Sequence, residues 1–218
     1  MKSMIKSAVI PMLILVAACG GSPDPNAGGG VKVVATTNIV ADLVRTIGGP
    51  QVTIDALMGP GIDPHLYKAS AGDVRRMSSA DVIFFNGIHL EGKMSEILER
   101  MGEREVRTVA VAECVPEKEL IASTGFSGLH DPHVWFDVAL WSKTVDCVAE
   151  SLVALDPDHA TAYLERAETY QAELSALDGW VRERVEALAP DQRVLVTAHD
   201  AFGYFGRAYG FEVRGLLG

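Results

Sequence analysis

The sequence predicts an α/β protein: a lobe of mostly parallel strands alternating with helices, a long connecting helix, and the start of a second α/β unit. Three observations carry that expectation. Short apolar runs such as residues 31–35 and 81–85 are each followed by a segment with helical spacing, the alternation that builds a parallel sheet. Residues 156–188 are compatible with one helix, interrupted only by Gly179. After it, strand, helix and strand signals return at residues 193–197, 202–209 and 211–214.

The first 30 residues stand apart from that pattern. Lys2 and Lys6 precede an apolar run, residues 8–18, too short to span a bilayer comfortably, and small residues lead directly into Cys19. Val16-Ala17-Ala18-Cys19 resembles a bacterial lipobox. Residues 1–18 are therefore expected to be a signal peptide and Cys19 the residue that carries lipid, turning a soluble domain into an anchored one. An ordinary signal with an incidental cysteine is the plainer alternative. Residues 19–30 have the Gly/Pro/Ser composition of a flexible tether. The whole chain has a formal net charge of −10, and loss of Lys2 and Lys6 takes it to about −12. Such acidity argues against nucleic acid and anionic lipid surfaces as partners and is compatible with a cationic ligand.

Within the body of the chain, residues 31–35 read as a buried strand. Thr36-Thr37-Asn38 follows as a capping cluster, and Ile39, Leu43 and Ile47 recur at helical spacing until Gly48-Gly49-Pro50. Residues 51–58 alternate as a strand that ends in Gly59-Pro60-Gly61. Ser70 caps a short helix through Met77. Residues 81–85 form another strand, ending at Asn86-Gly87, and a helix over 93–101 with a strand over 106–111 completes a lobe spanning 31–155. A helix over 139–155 follows. Asp156-Pro157 then restarts the chain with Asp as N-cap and Pro in the first turn, opening the 156–188 helix. At ~1.5 Å per residue this helix runs on the order of 45 Å; a break at Asp178-Gly179 is the alternative. Residues 189–218 begin the second unit, which the sequence leaves incomplete and which reads as truncated, since its apolar faces would lack partners.

Three of the six histidines occupy related settings. Asp63-Pro64-His65 and Asp131-Pro132-His133 are the same triplet, and His199 follows at nearly the same interval, 68 and then 66 residues along. Neutral imidazole is a preferred ligand of zinc and other divalent first-row metals, and three nearly fill a tetrahedral shell. The spacing is too long for one helix or hairpin, so only a fold that gathers strand ends could bring the three together. His65 and His199 both lie at such ends. Asp63 and Asp131 could accept hydrogen bonds from the imidazoles or simply start Asx-Pro turns, and Asp137 and Asp200 carry the same two readings. His89 is expected to pack or bond locally, His130 to be at most an alternative ligand, and His159 to be solvated. Cys114 and Cys147 are expected to be two buried free thiols, although an oxidising compartment permits a bond between them.

Four motifs together resemble the zinc/manganese-binding lipoproteins that feed ABC importers, the ZnuA/TroA-like family of cluster A-I. They are Gly61-Ile-Asp-Pro-His65-Leu-Tyr67, Asn86-Gly-Ile-His-Leu-Glu91, Asp131-Pro-His-Val-Trp-Phe-Asp137 and Thr197-Ala-His-Asp-Ala-Phe-Gly-Tyr-Phe-Gly206. The resemblance implies two Rossmann-like lobes joined by one long helix. It places a metal in the cleft between them, held by His65 and His133 from the first lobe and His199 from the second. It also implies a fourth ligand, a carboxylate beyond residue 218. Implied partners are the metal ion, an ABC permease with its ATPase, and the membrane through the lipid anchor; the protein would be a monomer in the periplasm or on the outer face of the cytoplasmic membrane.

Zinc ranks first from the nitrogen ligands, with manganese close behind. The manganese-preferring branch of that family often has a carboxylate where this chain has His199. Against zinc, a histidine-rich loop between Glu113 and Asp131 is missing. Two other classes stay open. A three-histidine zinc with an open fourth position is the layout of a zinc-dependent hydrolase, though no His-Glu-x-x-His motif supplies a base. A surface adhesin lipoprotein would share the anchor but would not need the histidines.

Overall fold

The computed structural model describes residues 30–123 and 129–217. The signal segment, the lipidation candidate Cys19 and most of the tether lie outside the described residues. Twelve regular elements follow one another in the predicted alternation. They are β1 (Val31–Ala35), α1 (Asn38–Gly48), β2 (Val52–Ala56), α2 (Ala71–Ser78), β3 (Val82–Phe85), α3 (Ser95–Glu103), β4 (Arg107–Ala110), α4 (Val138–Leu155), α5 (Ala160–Glu186), β5 (Val194–His199), α6 (Gly203–Tyr209) and β6 (Glu212–Leu217).

β1 to β4 form one parallel sheet in the order β2-β1-β3-β4, with Val33 opposite Ile54 on one side and Val34 opposite Ile83 on the other. An internal strand covered on both faces favours apolar residues in succession, which is why Val33, Val34 and Ala35 read as a run rather than an alternation, with Lys32 exposed near the strand's start. Val33 faces a core built with Leu43, Ile47, Val148 and Tyr163 from α1, α4 and α5. Val34 faces the other way, into a methionine-rich layer with Met77, Met94 and Met101 under α2 and α3.

Capping chemistry sets the helix starts. Thr37 accepts from the Val40 backbone N–H at 3.3 Å, and Ser70 forms a reciprocal box with Asp73 at the head of α2. The C-terminal end of α1 is closed from another element: the Arg166 guanidinium of α5 donates to the carbonyls of Ile47 and Gly48 at 2.6 and 2.8 Å. That contact and the α4–α5 packing fasten the long helix to the first lobe.

α5 is continuous through Gly179, so the break at Asp178-Gly179 does not occur; at ~1.5 Å per residue its 27 residues span about 40 Å. Asp156 does not cap it through the backbone. Its carboxylate is instead taken by the Tyr163 hydroxyl and His159 Nδ1, both at 2.7 Å, and a single tight turn over Pro157–His159 precedes the helix. Beyond α5, β5 and β6 pair in parallel as a two-stranded sheet, with Val196 59% and Leu216 71% exposed.

The two cysteines depart from expectation. Cys114 and Cys147 are half-buried and joined in a disulfide, their Cα atoms 6.3 Å apart, rather than two buried free thiols. The reason is tertiary: α4 lies across the turn at Val111–Cys114 that follows β4, and the two positions face each other there. No helix among the described residues is long and apolar enough to cross a membrane.

Candidate metal centre

A parallel sheet sends all its strand ends to one edge, and the loops at that edge carry the candidate side chains. After β2 the chain turns through Gly59–Gly61, with Gly61 at φ 81°, and delivers Asp63-Pro64-His65. The Asp63 carboxylate accepts from the backbone N–H of His65 at 2.9 Å. Asp131 accepts from the backbone N–H of His133 at the same 2.9 Å. The repeated triplet is therefore a repeated Asx turn: proline cannot donate, and the aspartate reaches past it to the histidine. Both readings of Asp131 hold at once, because its Oδ1 also takes His133 Nδ1 at 2.6 Å. Asp63 serves the turn.

His133 is 6% exposed, His65 is half-buried, and His199 is exposed at the last position of β5. Local bonds fix the His199 backbone from both sides along the chain, with the Thr197 hydroxyl and the Ala201 N–H donating to its carbonyl at 2.8 and 3.0 Å. The three rings meet edge to face, with centroid separations of 5.4, 5.3 and 5.1 Å. One nitrogen from each lies within 4.8 Å of the others, and Nε2 of His133 stands 3.3 Å from Nε2 of His199. With Nδ1–H of His133 directed at Asp131, its Nε2 lone pair points into the cluster. Nε2 of His199 faces that lone pair at 3.3 Å, a contact favourable only with a proton or a cation between the two nitrogens. A tetrahedral ion with Zn–N bonds of 2.0–2.1 Å would set its ligand atoms about 3.3 Å apart.

Burial pulls the His65 imidazole below its ordinary value of 6.5, and repulsion from His133 adds to this while Asp63 opposes it. The neutral, ligating form is the one favoured. The cluster opens onto a cleft of ≈ 400 Å³ whose walls also include Ile88, Ile121 and Leu129. His89, exposed at φ 60°, and His130 line the same cleft outside the three-nitrogen group. His159 lies away from the cleft, exposed and paired with Asp156. Asp137 caps α4, accepting from the Leu140 N–H at 3.1 Å.

Sequence reading missed the carboxylate that organises the loop after β3. Glu91, 2% exposed, accepts from the Thr36 hydroxyl and the N–H groups of Asn86 and Gly87 at 2.7, 2.8 and 3.1 Å. Burial pushes its carboxyl up, and these donors oppose the rise. It anchors three successive left-handed residues, Gly87, Ile88 and His89. Its position inside the Asn86–Glu91 motif was the available signal, but only the packing shows it buried and, among the described residues, bonded to neutral donors rather than to a cationic side chain.

The family described as "ZnuA: Zinc-uptake complex component A periplasmic" matches residues 33–218. A manganese-binding lipoprotein, MntA of Bacillus subtilis, is 43% identical over the whole chain, which spans 71% of that protein. The zinc-binding protein TroA of Treponema pallidum is 49% identical over 91% of this chain and 63% of its own length. The solved structure of TroA superposes with a TM-score of 0.83 over 87% of this chain and 68% of that one. The iron ABC transporter substrate-binding lipoprotein MtsA of Streptococcus pyogenes is 31% identical over 95% of this chain. The chain thus spans roughly two thirds of the length of these relatives.

Proposed function

The chain belongs to the ZnuA family of metal-uptake proteins, and from that premise we propose that it captures a divalent transition metal outside the cytoplasm and passes it to an ABC importer. The observation that carries the reading is the convergence of one nitrogen each from His65, His133 and His199 within 4.8 Å, in a cleft at the carboxyl ends of the strands. Residues 68 and 66 apart in sequence meet there from two loops and the end of β5. The metal is cargo, and the three imidazoles are its ligands.

Capture and release call for a site that is selective without being permanent. Three neutral nitrogens bring no thiolate and no charge of their own, and they bind only when deprotonated, so affinity is set by geometry and pH. Zinc is the first choice, from ligand type. Manganese comes second, supported by the likeness to MntA. Cys19 carries the lipid that keeps the protein at the membrane, and the partners are the permease and ATPase of the importer. Nothing in the cleft of the described residues favours hydrolysis over carriage, and the relatives are named as binding proteins.

A chelator-competition titration with zinc and with manganese tests this reading on the wild-type chain and on His65→Ala, His133→Ala and His199→Ala. One tight equivalent, weakened in all three variants, is the expected result. A folded wild-type chain that binds neither ion would remove the proposal.

A further inference from the structure

α6 follows β5 directly and so belongs to the second α/β unit, yet its Tyr204 is completely buried against the first. The phenolic hydroxyl accepts from the Ile121 N–H at 3.0 Å and donates to the Asp131 carbonyl at 2.8 Å. One residue further on, Asn86 at the end of β3 donates through Nδ2 to the Pro132 carbonyl at 3.1 Å. Consecutive carbonyls of the second triplet are thus held from the two units at once. Asp131 passes that hold to His133, through the backbone N–H and through Nδ1.

Tyr204 lies five residues beyond His199 on the short path Asp200–Gly203. Its hydroxyl therefore joins the segment that carries His199 to the segment that carries His133. We propose that Tyr204 is a positioning residue for the metal site, setting the separation of the His133 and His199 nitrogens by bonding α6 to the Asp131-Pro132-His133 turn. The inference rests on the reading of the three histidines as metal ligands. A shared ion tolerates errors of only about 0.2 Å in ligand distance, so a link of this kind between two units acts directly on affinity.

Cobalt(II) is the probe, because its visible bands report coordination geometry as well as occupancy. Wild type, Tyr204→Phe and Tyr209→Phe are titrated with cobalt chloride, at a temperature where circular dichroism shows each folded. Tyr209 is the matched control: it sits on the same helix, 5% exposed, and its hydroxyl accepts from the Val138 N–H and donates to Asp178, without touching the triplet. Tyr204→Phe is expected to bind about 10- to 100-fold more weakly, as when a group that orients a ligand is lost, and to show displaced visible bands; Tyr209→Phe should match wild type.

Wild-type affinity and bands in folded Tyr204→Phe would overturn the proposal. So would equal weakening by Tyr209→Phe, which would mean that any loosening of α6 suffices. If Tyr204→Phe does not fold, Gly203→Ala reads the same junction, since a Cβ there would stand 3.0 Å from the Asp131 carboxylate. Displaced bands are expected in that variant, and unchanged ones overturn the role. Undiminished cobalt binding in His133→Ala and His199→Ala would instead show that the metal reading itself has failed, and the role of Tyr204 with it.

Discussion

His133 is the most firmly held of the three imidazoles. Its ring is buried, its Nδ1 is committed to Asp131, and its backbone N–H is bonded to the same carboxylate. Asp131→Asn should therefore weaken metal binding by about 10- to 100-fold. Asp63→Asn should cost less, because that carboxylate bonds only the backbone of His65; a competition titration of both variants compares them directly, and equal losses would contradict the asymmetry. His65 governs part of the pH response. Its folded value lies below the ordinary 6.5, so below that pH the unfolded chain takes up a proton that the folded chain resists. The stability linked to this group is present above 6.5 and is lost as the pH falls towards the lowered folded value. Protons compete with metal in the same direction, so affinity should drop on acidification through this window and recover on return to neutral pH.

Among the elements, α2 offers the cleanest test because its start rests on side chains away from the cleft. Ser70→Ala removes the acceptor for the Asp73 N–H and should lower stability by about 1 kcal/mol, read as a lower melting temperature with metal binding unchanged. Burial alone would raise the Asp73 carboxyl, but the Ser70 N–H, the Arg76 guanidinium and the Tyr67 hydroxyl together hold it at about 2. Its contribution is present above the ordinary 3.8 and lost as the pH falls towards 2. In melts recorded at pH 5 and pH 2, Asp73→Asn should differ from wild type at the higher pH and much less at the lower. Strand and helix positions in this region were legible from apolar runs and capping residues, since those signals are local. The first turn of α5 was not, because Asp156 is drawn to Tyr163 and His159 by side chains that a capping rule does not weigh.

Over the whole molecule, the disulfide and the proposed metal site are the two cross-links to measure. The bond between Cys114 and Cys147 closes a loop of 33 residues, for which chain-entropy arguments give about 3–4 kcal/mol. Denatured, unreduced protein should leave both cysteines unalkylated, and reduction should lower the melting temperature; alkylation of both without reductant would show the bond to be absent in solution. Metal should act the other way, adding about 2.7 kcal/mol when free ion reaches a hundred times its dissociation constant. That gain should vanish in His133→Ala. The second sheet presents Val196 and Leu216 to solvent, so most of the apolar burial supporting the fold comes from the first lobe and α5.

Residue order alone identified the repeated Asp-Pro-His triplet and the alternation of strand and helix, and it favoured one long helix between the two units while leaving a break at Asp178-Gly179 open. Each depends on neighbours within a few turns of chain. It also ranked His65, His133 and His199 above the other histidines, because two of them share one turn chemistry. Tertiary structure alone decided that their nitrogens meet, that Cys114 faces Cys147, that Glu91 is a buried carboxylate holding a left-handed loop, and that Tyr204 reaches across to Asp131. Those outcomes depend on distances between segments 33 to 134 residues apart, from the disulfide through the Tyr204–Ile121 bond to the His65–His199 ring pair. The packing of α4, α5 and α6 on a parallel sheet sets such distances, and no local pattern encodes them.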